Sequence, residues 1–230
     1  MCFVTESATS SQEATFSFVD LAGFTAMTEA HGDAHAVAIV RAFRDRAMKV
    51  LRPGDELVKT IGDAVMLRFV SPESAVLALL ELLEGELVVD DAVLLSRAGA
   101  HHGPAVAVDG DYYGAAVNLA ARVAGEARGG QLLVTDRVAM AARDLGAIVS
   151  HSGPLVLRNV SDSVDVYDVR VSTASQSAAV DPVCQMRVPT TGESAVSLEC
   201  SGRRLYFCGL PCVARFAAAP ETYLGRQPQV

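Results

Sequence analysis

The chain has 230 residues, half of them apolar and a fifth charged, with a formal net charge of −8. That length holds one full domain, or one plus a small module, and the composition is that of a globular chain rather than a disordered one. The acidic balance argues against a strongly basic nucleic-acid surface, and no nucleic-acid partner is expected. Mean hydropathy is positive, but the most apolar stretch, residues 75–89, is broken by Glu81, Glu84 and Glu86. No run of about 18 apolar residues exists, so no spanning helix is expected. The N-terminal residues lack the basic and apolar regions of a secretory signal, which makes the cytoplasm the expected location.

In chain order, residues 14–20 alternate and are rich in Phe and Val, which predicts a strand. Residues 33–51 read as a helix, with Ala36, Val40, Phe43, Ala47 and Val50 on one face and Pro53-Gly54 as its stop. Residues 56–60 and 64–70 flank Ile61-Gly62-Asp63, a hairpin signal. Ser71 as N-cap and Pro72 in the first turn open a helix running to about Gly85. Residues 97–108 read as a strand interrupted by Gly103-Pro104, 113–127 as a helix and 131–135 as a strand. Asp136 is placed to cap a further helix, and 155–171 reads as a final hairpin. The order is a split βαβ pattern, an α+β, ferredoxin-like sandwich with helices on one face of a mainly antiparallel sheet.

The cysteines divide the chain. Cys2 stands alone, whereas Cys184, Cys200, Cys208 and Cys212 all fall in the last fifty residues. Between them, residues 171–180 (VSTASQSAAV) carry no helix or strand period and read as a linker. A tail from about Asp181 is too short to hold a core of its own without a staple or a metal.

Four segments carry unusual chemistry. FVDLAGFT puts Asp20 at a strand end, before a turn at Gly23, Phe24 and Thr25 whose backbone N–H groups can cradle phosphates. KTIGD puts Asp63 at the hairpin tip; in a split βαβ sheet the hairpin lies beside the first strand, so the two carboxylates can converge on Mg²⁺. In DYYGAAVNLAAR, Asn118 and Arg122 share a helix face, suited to a sugar oxygen and a phosphate respectively. Asp111 can accept from an exocyclic amine and Lys59 can donate to a ring nitrogen, which together read an adenine edge. Arg158 in the last hairpin is a candidate triphosphate contact.

The segments FVDLAGFT, KTIGDAVM and GDYYGAAVNLAAR resemble those of the class III adenylate and guanylate cyclases, over roughly residues 14–171. The resemblance implies that Asp20 and Asp63 hold two Mg²⁺ or Mn²⁺ ions, that Lys59 and Asp111 select adenine, that Asn118 orients the ribose and that Arg122 stabilises the transition state. It implies ATP rather than GTP as substrate, cyclic AMP and pyrophosphate as products, and a homodimer that shares its sites. A fold of this kind that binds nucleotide or metal for signalling, without turnover, is the alternative.

The tail, DPVCQM, YFCGLPC and FAAAPETY, resembles a YHS domain, a small relative of the TRASH-type metal-binding units, over residues 181–225. Thiolates at Cys184, Cys208 and Cys212 suit Zn²⁺ or Cu⁺, with Cys184 arriving from a strand and Cys208 and Cys212 sharing a helix face or turn. Gln185 stands where that family has Gly. Cys200 either completes a four-thiolate site or is a buried small hydrophobe, and the second reading is preferred. His31 and His35 are four apart, but the sequence offers no third ligand, so both read as a solvated helix start. His101 and His102 face opposite ways on a strand and, like His151, read as structural.

Overall fold

The computed structural model of the chain describes residues 11–85, 87–89, 92–155, 163–170, 179–190 and 195–224. The region up to Arg170 contains β1 (Ser11–Leu21), α1 (Phe24–His31), α2 (Asp33–Lys49), β2 (Glu56–Ile61), β3 (Ala64–Phe69), α3 (Pro72–Glu84), β4 (Leu87–Val89), β5 (Ala92–Leu94), β6 (Ser96–Val108), β7 (Asp111–Tyr113), α4 (Ala115–Glu126), β8 (Leu132–Val134), α5 (Asp136–Asp144), β9 (Ile148–Leu155) and β10 (Val164–Arg170). The chain divides into two compact units. One takes the residues up to Asp20, Arg46–Glu84 and Arg97 through β10; the other takes Leu21–Asp45, Gly85–Ser96 and the described residues from Ala179.

The first unit is built on an eight-stranded sheet in the order β2-β3-β1-β6-β8-β10-β9, with β7 paired to β6. β6 and β8 run parallel, whereas β1–β3, β2–β3, β6–β7, β8–β10 and β9–β10 are antiparallel. α4 packs on one face, burying Ala116, Val117 and Ala120 with Phe16, Met66 and Ala105. Its approach to β6 is close: a Cβ at Gly99 would lie 2.0 Å from the Ala124 nitrogen, so only glycine admits the helix there. The alternate strand residues Thr15, Ser17, Val19, Ala98, Ala100, Leu132 and Val134 are buried as well. The sheet is therefore covered on both faces, not with helices to one side as the element order suggests.

Local signals act largely as expected. The Ser71 hydroxyl accepts from the Ser74 N–H at 3.2 Å and Pro72 opens α3. Thr135, not Asp136, is the residue at the α5 N-cap, and its hydroxyl meets His101 Nδ1 at 2.8 Å instead of capping the helix. β6 runs unbroken through Gly103-Pro104, and the last hairpin already begins at Ile148.

The second unit adds β11 (Ala179–Val180), β12 (Arg187–Val188), β13 (Val196–Cys200), β14 (Arg203–Phe207), α6 (Leu210–Ala218) and α7 (Pro220–Leu224). Most of the segment read as a linker lies outside the described residues, but Ala179 and Val180 pair with Val188 and Arg187. β12 in turn pairs with β5, so the tail builds on strands from the middle of the chain in the sheet β11-β12-β5-β4. β13 and β14 form a separate hairpin, and the Phe207 and Phe216 rings pack with centroids 5.4 Å apart.

Candidate functional site

The first pair of site residues is set by strand register. Val19 pairs with Val65 and Ile61 with Ala64, which places Asp20 beside the two-residue Gly62-Asp63 loop of the β2–β3 hairpin. Burial, with the Asp20 charge nearby, pushes the Asp63 carboxyl above the usual Asp range. Asp20 is held by a residue the sequence reading missed. Arg97 on β6 donates Nε to Oδ1 at 2.6 Å and Nη2 to Oδ2 at 2.8 Å, and Nη1 to the Ala127 carbonyl at 3.0 Å. Nothing in the spacing of the chain marks Arg97, because its partner lies on another strand. Two half-buried carboxylates side by side, one at the end of β1 and one in the hairpin loop, are a fitting donor set for a hard divalent cation.

The second pair lies at β2 and β7. The β2–β3 register shifts between Leu57 and Lys59, an irregularity in the ladder next to Lys59. Its ammonium meets Asp111 Oδ2 at 2.5 Å, and Asp111 Oδ1 accepts from the Tyr112 N–H at 2.8 Å. Lys59 holds the Asp111 carboxyl below its usual range. Tyr112, also unforeseen, anchors this strand: its hydroxyl donates to Glu56 at 3.0 Å and its ring packs on Phe16.

The buried side of α4 comprises Ala116, Val117, Ala120, Val123 and Ala124, which leaves Asn118 exposed and Arg122 half-buried. The Arg122 Nη1 is buried and has no hydrogen-bond partner among the described residues, a donor available to an anion. Gly23 is the N-cap of α1 with φ 78° and no side-chain cap, so Phe24 and Thr25 open the helix with N–H groups no cap satisfies. Arg158 lies outside the described residues.

The tail cysteines converge, with one addition. Cys184 Sγ lies 3.5 Å from Cys208 Sγ, which lies 3.4 Å from Cys212 Sγ and 3.4 Å from His31 Nε2. His31, read from sequence as solvated, closes a four-residue group whose ligand atoms all lie within 4.8 Å of one another. Cys184 sits in the turn between β11 and β12 rather than on a strand, and Cys212 in the first turn of α6. Cys200 is outside the group and half-exposed, so it is neither a member nor the buried hydrophobe expected. Asp181 organises the turn: it is fully buried and accepts from the N–H groups of Val183 at 2.7 Å, Cys184 at 3.3 Å and Cys208 at 2.8 Å.

Sheet, hairpin loop and α4 define a nucleotide-cyclase architecture, and the sequence comparison agrees. The family model of the adenylate and guanylate cyclase catalytic domain matches residues 6–170, and the chain belongs to that family. A pH-sensitive adenylate cyclase of Mycobacterium tuberculosis is 35% identical over 177 residues, 74% of this chain and 44% of that protein. An adenylate cyclase of Glutamicibacter nicotianae is 30% identical over 122 residues, 53% of this chain and 30% of that protein. The chain thus spans less than half the length of these curated relatives. Among solved structures, an adenylate cyclase of Trypanosoma brucei in its monomeric state matches with a TM-score of 0.62 at 27% identity, over 73% of this chain and 92% of that one.

Proposed function

We propose that this chain is an adenylate cyclase that converts ATP to 3′,5′-cyclic AMP and pyrophosphate at sites shared across a homodimer. The observation that carries the adenine reading is the Lys59–Asp111 pair at 2.5 Å. A cation donor and a carboxylate acceptor side by side match the ring nitrogen and exocyclic amine of adenine; guanine presents the reverse pattern.

Asp20 and Asp63 would hold two Mg²⁺ or Mn²⁺ ions, which supply a lowered pKa for the ribose 3′-hydroxyl and charge neutralisation at the α-phosphate. The remaining work falls to the chain. Lys59 and Asp111 fix the base, and Asn118 orients the ribose through its exposed amide. The backbone N–H groups at Gly23, Phe24 and Thr25 receive phosphate oxygens. The 3′-oxygen forms a bond to the α-phosphorus, the bond to the β-phosphate oxygen breaks, and the hydroxyl proton passes to solvent. Arg122, whose Nη1 has no partner among the described residues, meets the negative charge that grows on the α-phosphate. The tail, similar to a YHS module, is the regulatory part of this reading.

The test is incubation with Mn²⁺ and ATP, with cyclic AMP as the readout. Asp20→Ala and Asn118→Ala should each be inactive. Mixed in equal amounts under proven subunit exchange, they should recover about a quarter of wild-type activity, since half the dimers are mixed and each carries one intact site. Absence of cyclic AMP in the wild type overturns the catalytic reading; absence of recovery overturns the shared site.

A further inference from the structure

We propose that His31, Cys184, Cys208 and Cys212 form a closed, four-coordinate Zn²⁺ site whose imidazole ligand comes from α1, inside the cyclase-family region, and not from the tail. The distances carry this. A tetrahedral ion with Zn–S of about 2.3 Å and Zn–N of about 2.0 Å sets sulfur atoms about 3.8 Å apart and sulfur and nitrogen about 3.5 Å apart. The three measured separations, 3.5, 3.4 and 3.4 Å, approach those edges, and the whole set fits within 4.8 Å. That span admits one ion and is too tight for a multi-iron cluster. A disulfide would bring two sulfurs to about 2.05 Å and leave the third aside; here Cys208 stands nearly equidistant from both other thiols and all three are free.

The donor chemistry selects the metal. Three thiolates and one imidazole are a closed set typical of structural zinc, with no position left for water. Oxygen-preferring Mg²⁺ has no ligand here, and four-coordination with an imidazole suits Zn²⁺ better than Cu⁺ in a bare thiolate site.

The surroundings hold the ligands in place before an ion arrives. Asp181 ties the backbones of Cys184 and Cys208 together through one buried carboxylate. Cys212 is buried on α6, and Arg215, one turn further, bonds the Glu29 carbonyl on α1. His31 occupies the last turn of α1. An ion at this point therefore straps the C-terminal segment to the helix that opens at Phe24, immediately after the Asp20 turn in sequence. None of the other histidines and cysteines among the described residues joins this group.

The experiment uses the full chain with Co²⁺ as a spectroscopic substitute and Zn²⁺ as competitor. One Co²⁺ per chain should give the intense visible bands of a tetrahedral ion and a sulfur-to-metal charge-transfer band, both removed by one equivalent of Zn²⁺. His31→Ala should lower affinity by more than about 100-fold, beyond the roughly 10–100-fold that loss of a supporting partner costs, and shift the visible bands. His31→Cys should restore tight binding with a stronger charge-transfer band, and Cys200→Ser should change nothing. The proposal fails if the wild type takes up no Co²⁺. It also fails if folded His31→Ala binds with unchanged spectrum and affinity, if His31→Cys shows no added sulfur band, or if Cys200→Ser loses the metal. None of these readouts involves cyclic AMP, so failure here leaves the cyclase reading untouched.

Discussion

Both oxygens of Asp20 are engaged by Arg97, at 2.6 and 2.8 Å, and the guanidinium is fixed from behind by the Ala127 carbonyl. A cation at Asp20 must share or displace that contact. Arg97→Ala is therefore expected to lower the Mn²⁺ concentration needed for half-maximal stabilisation several-fold. The same change should cost about 1 kcal/mol in metal-free protein, because the pair is half-buried and bidentate. Thermal unfolding with and without Mn²⁺ reads both effects; an unchanged metal midpoint would show that Arg97 does not compete at this site.

Lys59 and Asp111 are each other's partner in the structure, at 2.5 Å. Replacing one leaves the other charge unpaired and the base edge half read. Asp111→Ala or Lys59→Ala should reduce kcat/KM for ATP by at least about 100-fold, in line with the penalty for removing a designed polar partner. Lys59→Glu with Asp111→Cys should weaken ATP use further and admit GTP. A wild type that prefers GTP, or single variants with unchanged kcat/KM, would refute the adenine assignment.

These two pairs differ in how much of them the sequence revealed. The nearness of Asp20 and Asp63 was legible because one lies at the end of β1 and the other in a hairpin loop that must lie next to β1, so register alone brings them together. Arg97 was not, since a salt bridge between distant strands leaves no local period. His31 was misread for the same reason: its ligand partners follow far along the chain, and four-residue spacing to His35 suggested only a helix face. Cys184 was expected to arrive from a strand, whereas the Asp181 carboxylate, accepting from the Val183 and Cys184 N–H groups, builds a turn there. The burial of both sheet faces was hidden too, because the alternation along β1 shows which residues share a face but not that Thr15, Ser17 and Val19 are covered as fully as Phe16.

His101 carries a pH prediction. Burial, and beside it His102, holds its imidazole below the ordinary His range, and its Nδ1 meets the Thr135 hydroxyl at 2.8 Å. His102 itself meets Thr15 and Glu13 on the other face of β6. The unfolded chain takes up a proton at His101 near pH 6.5 and the folded chain only at lower pH. In the window between, the unfolded state binds more protons, so stability is full above about pH 6.5 and falls as pH drops. His101→Gln, which keeps a polar contact to Thr135 without titrating, should flatten the loss of urea midpoint between about pH 6.5 and 5.5. A profile as steep as the wild type's would place the acid sensitivity elsewhere.

Asp181 supports two of the proposed zinc ligands without touching the ion. Its Oδ1 accepts from Val183 and Cys184 and its Oδ2 from Cys208, all inside a fully buried turn whose carboxyl is pushed up by burial. Asp181→Asn keeps the shape but turns one accepting atom into a donor facing another N–H, at a cost of about 1–3 kcal/mol. Zinc affinity in chelator competition should fall about 10–100-fold, the usual loss for a partner that orients ligands. The fall should exceed that of Glu199→Gln, an exposed pair on β13 remote from the ligands. Equal affinity in Asp181→Asn and wild type would mean that the thiols find their positions without this carboxylate.

The last prediction concerns Gly23, where the α1 N-cap meets the tail's cysteine turn. Its φ is 78°, and a Cβ there would lie 2.5 Å from Gln185 Cβ and 2.8 Å from the Cys184 carbonyl. Gln185 itself sits at φ 62°, a left-handed conformation that glycine adopts freely, and its amide donates to the Pro182 carbonyl at 3.0 Å. Gln185→Gly should then be nearly neutral, within about 1 kcal/mol, because relief of backbone strain offsets the lost hydrogen bond. Gly23→Ala combines strain with overlap and should cost about 2–3 kcal/mol. In the double variant the side-chain overlap is removed but the contact with the Cys184 carbonyl and the positive φ persist, so only part of that loss should return. Chemical denaturation of the three variants gives the coupling directly. Full additivity would show that Gly23 and Gln185 do not press on each other, and an undisturbed Gly23→Ala would show that the cysteine turn can draw away from α1 at no cost.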